Sequence, residues 1–307
     1  MEHFKSWLTS NGKMVSLLVT MLIGMCIPQA HLFTFLVQYL LMVMLFFSFI
    51  DLQIDRSSFQ TGAVKVLGAN LVIGFGCFFL CMLINRELGA TAFITAIAPT
   101  AISSTVIVGF IRGRVDFMIA AVLLTNIVVA LIVPFAIPYV VGSDLKVSTI
   151  NVLVPVLITM FVPLILARLT IFLPIRVKSM FRSGKRFIFP IWLLNLFIIS
   201  AKASHFIFIE GSASFADLLK VAGLALVICV INFVIGAILG GREYWQESSQ
   251  ALGQKNNSFA IWIALTYISP IAVMGPMIYT LYHHLYNTWQ IYLYEKKENL
   301  WKKQISA

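Results

Sequence analysis

Charge is scarce in this chain. Only 11% of its 307 residues are Asp, Glu, Lys or Arg, where a soluble domain carries about a quarter. Acidic residues are scarcest, 12 against 22 Lys and Arg, for a formal charge of +10. Cysteine is sparse too. Cys26, Cys77, Cys81 and Cys229 all lie in apolar runs, and no His or acidic residue adjoins the Cys77/Cys81 pair. A disulfide framework or metal site is therefore not expected, and the thiols read as small hydrophobes. The chain also lacks a Gly-Xaa-Ser-Xaa-Gly nucleophile motif, paired aspartates and a His-Glu-Xaa-Xaa-His zinc site, so it is read as a non-enzyme with no catalytic residues, cofactor or metal beyond a possible sodium ion. These absences exclude a disordered chain, a nucleic-acid-binding domain and a small disulfide scaffold.

What is abundant is apolar sequence: 60% of residues are hydrophobic and the mean hydropathy is +0.94. The expected fold is an all-α polytopic membrane protein. A span needs about 20 mostly apolar residues, and ten stretches qualify: 14–30, 33–53, 63–85, 89–111, 116–141, 149–173, 187–208, 217–240, 248–268 and 270–293. The runs are continuously apolar and too long for barrel strands. The first leads directly into a multi-span pattern, so a cleaved signal peptide is not expected. With the N-terminus cytoplasmic, 17 of the 22 Lys and Arg fall inside, four (Arg86, Lys146, Lys202, Lys220) fall outside, and Lys255 lies in a span. Both termini are thus expected in the cytoplasm, in the plasma membrane (the inner membrane of a bacterium). The basic run 176–186 reads as an orientation signal and a contact for anionic lipid. Trp7, Trp192, Trp245, Trp289 and Trp301 fall near span boundaries, as an interfacial belt would.

Ten spans divide into two five-span halves, 1–141 and 142–307, and an odd number per half forces the second half to run inverted, as in many secondary transporters. The fourth span of each half carries a polar interruption: Pro99-Thr100-Ala101-Ile102-Ser103-Ser104-Thr105 and Gly253-Gln254-Lys255-Asn256-Asn257-Ser258. Proline removes a backbone donor, and unwound backbone at membrane depth persists only where it is buried or lines a cavity. Broken helices 4 and 9, crossing near the midplane, are expected. For Ser103-Ser104-Thr105 alone, helix packing by small residues is the competing reading; for the second segment it is a loop.

At these residues the chain resembles the bile acid:sodium symporter family, as a bacterial-type ten-helix homologue. The resemblance covers nearly the whole chain. Residues 41–53 look like that family's second helix, 99–113 its fourth-helix crossover, Pro134 and Pro138 its paired-proline fifth helix, Asn256-Asn257-Ser258 its Gln-Asn-Ser crossover, and 276–284 its histidine-bearing tenth helix. The resemblance implies a panel domain of helices 1, 2, 6 and 7 and a core domain of helices 3–5 and 8–10, with a small organic anion bound between them and two sodium ions behind the crossover. Substrate contacts carried over fall on Asn257, Ser258, His284, Ile102 and Ser103. Asn257 is the strongest, an amide at a half-helix N-terminus suited to a carboxylate. Asn195, Lys202 and His205 could line the panel side. Partners beyond the anion and membrane lipid are not indicated, nor is an oligomeric state beyond the monomer.

The implied ion positions fall on Asn70, Ser104, Thr105, Asn126 and Asn256, but the family's shared ninth-helix glutamate falls on Leu252, and Lys255 stands three residues on. Two unit charges roughly 5–6 Å apart repel by about 3 kcal/mol at an effective dielectric of about 20, or about two orders of magnitude in sodium affinity. The expectation is a sodium-independent or proton-linked transporter in which the Lys255 ammonium replaces a sodium ion, donating to Asn70, Ser104, Thr105 or Asn126. The alternatives are a lysine that snorkels to the cytoplasmic edge, a conventional sodium-coupled symporter, and, from a different class, a membrane ligand sensor that does not transport.

Overall fold

The computed structural model describes residues 15–50, 61–142, 147–209 and 214–305, with side chains described as far as Tyr294. Lys5, Trp7, Lys13, Arg56 and Lys146 lie outside the described residues, as do the side chains of Lys296, Lys297, Trp301, Lys302 and Lys303. Among the described residues there are thirteen α-helices: α1 (Val15–Cys26), α2 (Leu36–Phe49), α3 (Thr61–Met82), α4 (Arg86–Ile97), α5 (Ser103–Phe110), α6 (Val115–Val141), α7 (Thr149–Leu169), α8 (Ile175–Ser183), α9 (Ile188–Ser204), α10 (Phe215–Gly240), α11 (Trp245–Gly253), α12 (Asn257–Ile263) and α13 (Pro270–Ile305).

Five segments are long and apolar enough to cross a membrane: Thr61–Met82, Val115–Val141, Thr149–Phe172, Ile175–Ile209 and Phe215–Gly240. Their burial is the reverse of a soluble protein's. Side chains such as Leu83 (82% exposed), Ile150 (70%) and Ile238 (70%) face outward, while Lys255, Asn232 and Gln250 are buried. Apolar surface on this scale is not left facing water by a soluble monomer. The chain is accordingly described as an integral membrane protein.

Each departure from unbroken spans has a local cause. The 89–111 run divides into α4 and α5 around Pro99, and the 248–268 run into α11 and α12 around Gln254, Lys255 and Asn256. The basic stretch after Phe172, which lies between two expected spans, contains α8, which has no buried residue. Its Phe181 ring meets Phe46 of α2 edge-on at 5.6 Å. Sparse apolar residues among arginines are too few to span but enough to lay a helix on a neighbour. α13 continues well past residue 293, because its charged end still has helix-forming residues and no breaker.

Close packing of small residues brings the elements to the site. α3 packs along α4, and α10 packs along both α11 and α13, while α2 packs against α7 and α9. At the α10–α11 contact, a Cβ on Gly236 would lie 2.5 Å from the Ser248 carbonyl oxygen and 2.7 Å from Ser249 Cα. Both are backbone atoms and cannot swing aside. Gly236→Ala should therefore cost about 1–3 kcal/mol of stability through overpacking. Gly68→Ala on α3, where a Cβ meets nothing within 4 Å, should not be destabilised. Thermal unfolding of the two purified variants in detergent checks the contrast.

Candidate functional site

The two helix breaks lie against each other. Ala98 leaves α4 out of the helical region (φ −45°, ψ 136°), and Gln254 leaves α11 in extended backbone (φ −89°, ψ 98°). Thr100 and Lys255 then face each other as a single antiparallel bridge. Ala101 N–H donates to Gln254 O at 2.8 Å and Asn256 N–H donates to Pro99 O at 2.7 Å. This reciprocal pair satisfies backbone groups that each helix gave up, which a dry interior requires.

Side chains satisfy the rest. Asn70 Nδ2 caps Ile97 O, the carbonyl end of α4, at 2.9 Å. Tyr279 donates its hydroxyl to Gly253 O at the end of α11 at 2.6 Å and accepts from Asn232 Nδ2 at 3.2 Å. Thr100 O accepts from Asn126 Nδ2 at 2.9 Å, Thr100 N–H donates to Thr125 Oγ1 at 3.1 Å, and Thr100 Oγ1 donates to Ala251 O at 2.6 Å. Gln254 Nε2 reaches Ser103 Oγ at 2.9 Å. Asn256 caps α12 by accepting from Phe259 N–H.

Lys255 sits inside this knot, 2% exposed. Snorkelling does not describe it. Its Nζ donates to Asn70 Oδ1, so the Asn70 amide joins the ammonium to the carbonyl end of α4. No ion pair forms with Lys255 among the described residues. A lone charge removed from water is costly, and the partial negative ends of α4 and α11 are what the fold offers in place of a carboxylate.

Of the four acceptors the sequence suggested for Lys255, Asn70 is the one used. Ser104 and Thr105 turn their hydroxyls back to Ala101 O (2.6 Å) and Ile102 O (2.7 Å). Asn126 spends its NH2 on Thr100 O and Val122 O, and its Oδ1 has no partner among the described residues. Leu252 is buried.

The residues expected to touch substrate divide into two groups. Asn257 is buried and donates to Thr280 Oγ1 at 2.9 Å and to His283 Nδ1 at 3.3 Å. Its histidine contact is thus His283, also buried, while half-buried His284 turns to the Trp192 ring on α9, 5.3 Å away. Ser258 is buried, Ile102 half-buried and Ser103 exposed. Asn195, one turn from Trp192, is 1% exposed with neither amide atom partnered among the described residues. His205 stacks on His31 with ring centroids 3.9 Å apart, and Lys202 is half-buried. Between α2, α6 and α7 lies a small cleft of about 10 Å³, lined by Phe49, Leu123, Asn126, Ile127, Met160, Phe161 and Leu164. Asn126 is the one polar side chain in that lining.

Sequence reasoning missed Tyr279, Asn232 and Thr125, each a single polar residue inside an apolar run. It also missed Glu247, the one other buried charged side chain among the described residues. Glu247 accepts the Arg114 N–H at 2.8 Å, tying the α5–α6 turn to the start of α11. Gly113 permits the approach, since a Cβ there would lie 2.8 Å from the carboxylate, and Arg112 beside it takes a left-handed φ of 53°. No protein-family model and no curated protein matches this sequence.

The Lys255–Asn70 contact predicts a non-additive pair. Asn70→Leu leaves a buried ammonium without its acceptor and should cost about 3–5 kcal/mol. Adding Lys255→Met should recover part of that loss, because it removes the stranded charge. A double-mutant cycle on thermal or denaturant unfolding reads the coupling directly. Additive losses would mean that the two side chains do not depend on each other.

Proposed function

We propose that this protein is a secondary transporter of small organic anions that works by alternating access without sodium, with the Lys255 ammonium as a fixed cation at the crossover. The observation that carries the reading is the reciprocal hydrogen bonding of two broken helices around a buried lysine that donates to Asn70 and has no carboxylate partner among the described residues. Broken helices that meet at mid-bundle are how membrane transporters bring half-helix ends to a ligand. An intramembrane charge kept at this expense is a functional group by default.

In this reading the chain is a ten-span bundle of two inverted five-helix repeats with both termini cytoplasmic, similar to bile acid:sodium symporters. α4–α5 and α11–α12 are the equivalent broken spans. The exchange of Ala101 N–H for Asn256 N–H across the bridge is what a pseudo-two-fold axis would produce. The panel is α1, α2, α7 and α9, and the core is α3–α6 with α10–α13. Contacts such as Trp192–His284 and the cleft beside Asn126 lie where these two bodies meet, so rocking one against the other would open a path around them.

The anion preference follows from the charges. The N-terminal ends of α5 and α12 carry partial positive charge, and Lys255 adds a full one behind them. The Asn257 NH2 is already taken by Thr280 and His283, so a carboxylate would meet its donors at the Ser258 and Ser103 hydroxyls, in a favourable potential and without a bound metal ion. Sodium at the same place would be repelled by the lysine and would find Leu252, not a carboxylate, as its neighbour.

The test is flux. Protein in sealed liposomes, in potassium buffer free of sodium, is offered a panel of radiolabelled small mono- and dicarboxylates. Saturable uptake of at least one of them is expected, and Lys255→Met should reduce it by about tenfold or more while leaving a folded protein. Uptake that appears only with sodium would return the protein to conventional symport. Binding without flux would make it a sensor.

A further inference from the structure

A second run of buried polar side chains leaves the crossover and descends between α11 and α13. On α13, Thr280, His283, Asn287 and Gln290 recur at helical spacing and share one face. All four are buried. On α11 and its C-terminal cap, Glu247, Gln250 and Gln254 repeat the pattern and are buried as well. The two stripes meet where Gln250 Nε2 donates to Asn287 Oδ1 at 3.0 Å and to Gln290 Oε1. At the upper end the stripe reaches the residues that flank Lys255: His283 lies against the Tyr279 ring at 5.9 Å, the Tyr279 hydroxyl donates to Gly253 O, and Asn257 Nδ2 donates to Thr280 Oγ1.

The seam is only half paired with itself. Gln250 Oε1, Asn257 Oδ1, Asn287 Nδ2 and Gln290 Nε2 have no protein partner among the described residues, and each residue is less than 5% exposed. A polar zipper built for stability pairs both ends of its amides, because a buried polar group left over costs more than the bonds return. Here two acceptors and two donors remain along one line. The ligand that can serve both is water, which accepts from the amide nitrogens and donates to the oxygens.

We infer that the α11–α13 seam is a hydrated access path that carries water between the Asn257 end of the crossover and the face of the membrane that holds the α13 C-terminus. The inference rests on the proposed transporter reading for its orientation, in which that face is cytoplasmic.

The path is tested by cysteine accessibility, which needs no substrate. The four native cysteines are replaced by alanine, and single cysteines are placed by Asn287→Cys or Gln290→Cys in the seam. Met277→Cys, in the apolar interior, and Leu285→Cys, exposed on the same helix, are the controls. Inside-out vesicles are treated with a membrane-impermeant cationic methanethiosulfonate. Both seam cysteines should react about tenfold or more faster than the two controls, and adding Gln250→Leu should return Asn287→Cys to the control rate. Gel filtration and thermal unfolding establish that each variant is folded, and either seam position alone decides the outcome. Seam cysteines no faster than the controls would overturn the inference. That result would leave sodium-free flux untouched, and loss of flux with rapid labelling would leave the seam intact, so the two readings fail separately.

Discussion

Two backbone hydrogen bonds, Ala101 N–H to Gln254 O and Asn256 N–H to Pro99 O, hold the rest of the molecule to its plan. A helix cannot stop in a dry interior without stranding donors and acceptors that water would otherwise take. This chain stops twice. Each break is tolerable because the other is there to receive it, so neither is complete by itself. Tyr279, Asn70, Asn126 and Thr125 exist in the same economy: each brings one polar atom to an orphaned backbone group. The glycines of the α10–α11 contact then let the helices approach closely enough for those short side chains to reach.

The charge at Lys255 follows from the same geometry. Where two helices end side by side, their carbonyl ends leave a region of negative potential. A metal ion with oxygen ligands is one way to answer it. A lysine tethered to the backbone is another, and it needs no ion from solution. Asn70 serves both partners, its NH2 on the α4 carbonyl and its oxygen on the ammonium. The position therefore couples the charge state of one side chain to the closure of the break. In a transporter that coupling is useful, because whatever changes the lysine's charge also changes how firmly the crossing helices are held.

Much of the fold was legible. Continuous apolar runs predicted the long helices to within a few residues, as at Val115–Val141 and Phe215–Gly240. Proline and a polar run predicted where two helices break, because both signals report a backbone that cannot pair with itself. The partners were not legible. Nothing in the pattern distinguishes Asn70 from Ser104, Thr105 or Asn126 as the acceptor for Lys255; only the packing of α3 against α11 brings Asn70 to it. His283 and His284 are adjacent, so periodicity puts just one of them toward Asn257 without saying which. Tyr279 and Asn232 are single polar residues in apolar helices, where hydropathy averages them away. The seam stood in plain view as residues three and four apart, yet its meaning depends on α11 lying beside α13, which is a long-range fact.

The central claim is that a fixed ammonium stands at the crossover in place of a bound cation. It is tested most directly by the thermal stability of the purified protein in a sodium titration, with potassium matching the ionic strength. A ligand that binds the folded state raises apparent stability by mass action, so the measurement needs no knowledge of the substrate. The account predicts the same unfolding temperature in the two salts at every concentration. A saturable rise specific to sodium would contradict it, since it would mean that a sodium site persists beside Lys255.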